Sequence, residues 1–235
     1  LEFRRVLFRS ELELIFAKAR FGREFDCARP AFSKGPFFSL TRARHPLLED
    51  TLKQQHRTIS AVSLDMDQVR RILVISGPNA GGKTVVLKTA GLLALMAQSG
   101  IPVPAEEATV QIFENVLADI GDQQSIINQL STFSAHVLAI RSMLEQVSPR
   151  SLILLDEIGS STEPGEGAAL ARAVLEKFRA AGCLAIATTH YNRLKVYAET
   201  TEGVANAAME FNEVTDRKST RLNSSHVALS RMPSS

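Results

Sequence analysis

The chain has 235 residues, 45% of them hydrophobic, and a formal net charge of +2 at pH 7; that suffices for one globular domain with a real core, and the charge balance by itself argues for no nucleic-acid surface. Its two cysteines, Cys27 and Cys183, have no CxxC or Cys/His neighbour, which speaks against a disulfide framework or zinc site and fits a reduced, cytoplasmic chain. No apolar run approaches the ~20 residues of a membrane span, so no membrane partner is expected, and the start lacks the apolar core and cleavage site of a secretory signal.

In chain order, the first element is an anomaly. Residues 2–10, "EFRRVLFRS", and residues 216–224, "DRKSTRLNS", can be encoded by opposite strands of one DNA segment, offset by one base. An evolved domain is not expected to do this; the string resembles a sequencing adapter read through as coding sequence. Residues 1–10 and 216–235 are therefore set apart as adapter-like, the second stretch as disordered. Without them the body carries 20 basic and 23 acidic residues, a net of −3. The body, about Glu11 to Thr215, is expected to be a fragment cut at both ends.

Residues 11–29 have helical character, broken by Pro30 and Gly35-Pro36. "RHPLLED" from Arg44 reads as a turn into a short segment. "VRRILVIS", ending at Ser76, is a short apolar run with branched residues, as in a buried strand. "TVVLKTAGLLALMAQSG" reads as a helix ended at Gly100. Loop then strand follow in "IPVPAEEATVQIF". "STFSAHVLAIRSMLEQV" is helical, with Ser131 or Thr132 as its cap. "SLILLDEI" is a second buried strand, and "EGAALARAVLEKFRAAG" an amphipathic helix closed by Gly182. "CLAIATTH" and "GVANAAMEFNEV" supply the third and fourth strands. Strands alternating with helices predict an α/β fold with a mostly parallel sheet.

Between the first strand and its helix lies "GPNAGGKT", a full match to G-x-x-x-x-G-K-[ST]. Gly77, Pro78, Asn79, Ala80, Gly81 and Gly82 would let backbone N–H groups turn around phosphate oxygens, with the helix N-terminus pointing at the same anion. Lys83 would reach the β- and γ-phosphates, and the Thr84 hydroxyl would bind Mg2+. "LILLDE" sets Asp156 and Glu157 at the end of an apolar strand, on the same sheet edge. Asp156 would join the Mg2+ shell; Glu157 would orient or deprotonate the attacking water. His190 ends another strand at that edge, and from position alone both a structural role and a γ-phosphate contact are open to it.

"GPNAGGKT", "LSTFSAH", "LLDEIGSSTEPGEGAALA" and "TTHY", in this order and spacing, resemble the ATPase domain of the MutS family, within the wider class of ABC-type P-loop NTPases. "AKAR" and "ARHPLL" match that family's approach to the domain, so the resemblance covers about Ile15 to Thr215. "GGKT", "STFSAH" and "TEPGEGAALA" resemble the bacterial MutS-II branch, whose members usually carry a C-terminal small MutS-related (Smr) nuclease domain. The resemblance implies residues 11–45 as the end of a lever or core helix with its connector, and 46–215 as the ATPase domain. It implies ATP as substrate with Mg2+, and a homodimer in which Ser131 of "STF" reaches the other chain's γ-phosphate. "GSSTEP", Gly159 to Pro164, would cross the same interface, His190 would sense the γ-phosphate, and "ADIGDQQS" around Asp119 would couple nucleotide state to the rest of the molecule.

The chain departs from the family pattern in three ways. The DNA-contacting clamp helices and an Smr domain are expected to lie outside this fragment, and "TISAVSLDMDQ" offers no aromatic to stack on adenine. The expected function is ATP-driven dimer switching on branched or mismatched DNA, restraining homologous recombination. Stalled or collided ribosomes are an alternative partner for the same motor. Another ABC-type ATPase, such as a chromosome-organising head, is a second alternative; a transporter subunit would show an LSGGQ-like signature where "LSTFS" stands. A non-hydrolysing module is disfavoured by the retention of Lys83, Asp156 and Glu157.

Overall fold

The computed structural model describes residues 2–77, 82–121, 129–160 and 163–208, with the side chains of 2–9, 129–133 and 208 outside that description. Among the described residues, two sheets carry the fold. The first joins β1 (Ala31–Ser33), β2 (Phe38–Ala43), β3 (Val62–Met66) and β5 (Glu107–Gln111) in the order β1-β5-β2-β3. The second is wholly parallel and joins β4 (Ile72–Ser76), β6 (Asn115–Asp119), β7 (Ser151–Leu155), β8 (Leu184–Thr189) and β9 (Val204–Ala208) in the order β6-β7-β8-β4-β9. The strands expected from the sequence at 69–76, 151–158 and 183–190 are β4, β7 and β8, the one expected within 101–113 is β5, and the one expected at 203–214 is β9 as far as residue 208, its remainder lying outside the described residues.

The residues of β4, β7 and β8 are apolar on both faces because both faces are covered. Leu73, Ile75, Leu152, Leu154, Leu184 and Ile186 turn to α3 (Lys83–Gln98) and onward to the first sheet, in one core with Phe38, Leu40 and Val110. The alternate residues Ile72, Val74, Ile153, Leu155, Ala185 and Ala187 face the other way. There they meet α4 (Gln129–Gln146), α5 (Pro164–Ala181) and α6 (Asn192–Thr200) through Met143, Phe178, Leu194 and neighbours.

Helix boundaries follow local chemistry. In α2 (Pro46–Gln54), Pro46 sits in the first turn and His45 caps it by accepting from Leu48 N–H; the short segment expected here after a turn is this helix. α5 starts on a Glu163 carboxylate that accepts from the N–H groups of Gly165 and Glu166, and it ends at Gly182. α1 spans Glu2–Glu24, where the sequence placed a helix over 11–29. α4 begins at Gln129, so Ser131 and Thr132 lie inside its first turn instead of capping it. Among the described residues, no helix is long and apolar enough to cross a membrane.

Candidate nucleotide site at the carboxyl edge of the parallel sheet

Strand register brings the motifs together. Ser76 at the end of β4 pairs beside Thr189 of β8, Ala187 of β8 beside Leu155 of β7, and Leu155 beside Asp119 of β6. The next residues along each chain are therefore neighbours on one edge: Gly77, His190, Asp156 and the exit of β6. Such an edge is where open α/β sheets bind ligands.

Gly77 leaves β4 at φ 143°, and Gly82 caps α3 at φ 85°, a conformation that costs glycine little and a side chain more. The chain thus enters α3 directly from the loop, with Lys83 and Thr84 as its first two residues. Pro78, Asn79, Ala80 and Gly81 lie outside the described residues. Lys83 is buried, and its Nζ donates to the carbonyl of Gly77 at 2.6 Å, which places the ammonium at the end of β4. Burial pulls its pKa below the ordinary lysine value, while the carboxylates of Glu157 and Asp156 pull in the opposite direction.

Asp156 is the best-anchored group of the site. Its Oδ2 accepts from the Thr84 hydroxyl at 2.7 Å and its Oδ1 from the Thr188 hydroxyl at 2.6 Å. Its own N–H donates to the carbonyl of Asp119 at 2.9 Å. Glu157 follows at φ 48°, an unusual conformation for a residue with a side chain, at about 1–2 kcal/mol. Its N–H donates to the Thr188 hydroxyl at 2.8 Å, and its carbonyl accepts from Ser160 N–H at 3.0 Å. Thr188 therefore donates to one acidic residue and accepts from the next. The motif "TTHY" contains it, but no spacing rule marks it out.

Behind Glu157 the chain turns through Gly159, φ 83°, against the first turns of α5. A Cβ on Gly159 would lie 2.4 Å from the Gly167 carbonyl oxygen, and one on Gly167 would lie 2.2 Å from that of Gly159. The two backbones approach as only glycines allow, and the Tyr191 hydroxyl donates to the Gly159 carbonyl at 2.9 Å. Residues 161 and 162 of "GSSTEP" lie outside the described residues. His190 is exposed at the end of β8, its ring 4.3 Å from that of Tyr191.

One pair was not singled out by the sequence. His136 Nδ1 and Asp119 Oδ2 are 2.6 Å apart, at 18% and 17% side-chain exposure. Both line a cleft with Asp156, Glu157 and Gly159. The hydrogen bond to Asp119 raises the pKa of His136 above the ordinary histidine value; burial opposes this, and the charges of Asp119 and Asp156 add to it. The side chain of Ser131, five residues before His136, lies outside the described residues, as do residues 122–125 of "ADIGDQQS".

The arrangement offers a buried ammonium, a helix N-terminus, a hydroxyl–carboxylate pair of hard oxygens and a second carboxylate: a set suited to a metal-bound phosphate chain. The family model described as MutS domain V matches residues 73–229. Similar over about nine-tenths of this chain are proteins titled Endonuclease MutS2: 47% identical over 214 residues in Caldanaerobacter subterraneus subsp. tengcongensis, 46% over 213 in Clostridium botulinum and 48% over 213 in Pelotomaculum thermopropionicum. The matched region is 26% of each relative, so the chain spans about a quarter of their length.

Proposed function

This chain belongs to the MutS family, in its MutS2 branch and through its ATPase domain, and on that premise we propose that it hydrolyses ATP on the 77–84 loop to switch a homodimer on branched or mismatched DNA. The observation that carries the reading is the meeting of Thr84 and Asp156 at 2.7 Å beside a buried Lys83. A hydroxyl and a carboxylate so joined fit Mg2+, which takes oxygen ligands and keeps several waters or phosphate oxygens of its own. Thr84 and Asp156 would hold the ion, and when bound it offsets charge on the β- and γ-phosphates.

The chain's own residues then have distinct tasks. Lys83 binds phosphate oxygens with its ammonium, while the N-terminus of α3 orients the same anion. Thr188 fixes the Asp156 carboxylate in place. Glu157 orients the attacking water and takes its proton, its backbone held by Thr188 and Ser160. His190 hydrogen-bonds the γ-phosphate from the end of β8. Ser131 of the partner chain completes the site, so that ATP joins two subunits and hydrolysis releases them.

DNA contacts and any nuclease activity are assigned to regions of the full-length protein outside these 235 residues, and the outcome we favour is restraint of homologous recombination. We further propose that residues 46–215 form the ATPase unit, that 11–45 lead into it, and that 1–10 and 216–235 are foreign to it. The uninterrupted coding sequence from the same genome tests the last point.

Glu157→Gln tests the hydrolytic assignment. The variant is expected to retain Mg-ATP with near-normal affinity and to lose about 100-fold or more in kcat. Equal loss of ATP binding contradicts the role given to Glu157. With the full-length protein, ATP should change the affinity for a four-way junction relative to linear duplex; identical affinities with and without ATP contradict the switch.

A further inference from the structure

Asp119 is the last residue of β6, the edge strand of the parallel sheet. It joins three elements at once. Its main-chain carbonyl accepts the N–H of Asp156, at the turn that carries the acidic pair. Its side chain meets His136 of α4 at 2.6 Å. The pair is largely shielded from solvent, where an ion pair or charged hydrogen bond is screened less than on an open surface. Asp119, Asp156 and Glu157 place three carboxylates on one cleft, and His136 stands on its wall. Neither Asp119 nor His136 has a task in the phosphate contacts described above.

We propose that Asp119 and His136 are positioning residues for Glu157, forming a brace through which the seat of α4 reaches the acidic turn. The inference rests on the hydrolytic reading of this site. α4 is an 18-residue helix that also carries Ser131. A rigid-body shift of α4 therefore moves Ser131 and His136 together. Through Asp119 that shift reaches the backbone hydrogen bond of Asp156, and with it the position of Glu157. The brace makes the hydrolytic carboxylate responsive to how α4 is held, without touching the residues that grip the phosphates.

The test is steady-state hydrolysis of Mg-ATP by the full 235-residue chain, with nucleotide affinity measured separately by fluorescence titration. His136→Ala and Asp119→Ala should each lower kcat roughly tenfold, with KM for ATP and nucleotide affinity within about twofold of wild type. The double variant should be no slower than either single one, because both substitutions remove the same contact. His136→Asn, whose amide nitrogen can replace Nδ1, should recover most of the rate. Thermal melts of all variants, with assays run well below the lowest transition, separate this from loss of fold. His136→Ala at wild-type kcat overturns the brace alone, as do losses that multiply in the double variant. A His136→Asn protein that melts like wild type yet stays as slow as the alanine variant also overturns it. A wild-type chain without turnover overturns the hydrolytic reading itself, and the brace with it.

Discussion

Thr188 has no exposed surface, and its one hydroxyl serves both acidic residues of the site. Thr188→Val keeps the shape and removes the oxygen. The Glu157 N–H and one lone pair of Asp156 are then left without that partner, at about 1–3 kcal/mol for each buried polar group so stranded. Chemical denaturation should show a loss of about 2 kcal/mol or more, and kcat should fall with it. Lys83→Ala acts on binding: loss of a charge-assisted contact of about 1.5–3 kcal/mol should weaken ATP roughly ten- to hundredfold, read by titration. His136 gives a pH signature. Its pKa is raised in the folded chain, so the stability it supplies is fully present below the ordinary value of 6.5 and is lost as pH rises through the folded value. The stability advantage of wild type over His136→Ala, measured by denaturation across that range, should shrink with rising pH. Its facing groups are Asp119 at the end of β6 and Asp156 after β7. An advantage that grows with pH contradicts the assigned ion pair.

That Lys83, Thr84 and the acidic pair share one sheet edge was legible because their motifs are contiguous residues at fixed spacing after apolar runs. Thr188 was not, since a threonine in a buried strand carries no sign of which neighbour its hydroxyl meets. The same holds for Asp119 and His136, which are 17 residues apart and meet only because β6 and α4 lie side by side.

At the scale of elements, the turn from β7 into α5 is set by its glycines and its cap. Gly159→Ala puts a methyl group 2.4 Å from a backbone oxygen at a positive φ, so the turn must move. A cost of about 1–3 kcal/mol is expected, visible as a lower melting temperature, together with a lower kcat because Glu157 is two residues away. Glu163→Ala removes the cap of α5 at an exposed site, and should cost about 0.5–2 kcal/mol, at the low end of that range. The parallel strands β4, β7 and β8 were readable as largely apolar runs. β6, "NVLAD", was not, because an edge strand with half-exposed residues shows no such run. Of the first sheet, only β5 was readable, as the strand expected within 101–113; β1, β2 and β3 escaped notice for a related reason. β3 alternates buried and exposed residues within only five positions, too short a pattern to stand out between loops. α2 was announced by Pro46 after a capping His45, a signal weaker than Ser or Asp before a long apolar period.

At the scale of the molecule, three layers place the site. α3 and the first sheet cover one face of the parallel sheet, α4, α5 and α6 the other, and the motifs gather where strands β4, β6, β7 and β8 end. The family match runs to residue 229 and so overlaps the stretch proposed as foreign. A chain ending at 215 should therefore bind ATP as well as the longer one if that proposal holds; weaker binding contradicts it. The chain spans about a quarter of the relatives' length, so the proposed switching on DNA is to be tested with the full-length protein. The central claim is that Lys83, Thr84, Asp156 and Glu157 form a hydrolytic site completed between two copies of the chain. Phosphate release from Mg-ATP, followed as a function of chain concentration, tests it most directly. Specific activity is predicted to rise with concentration toward a plateau as dimers form; release no greater than that of Glu157→Gln at every concentration would contradict it.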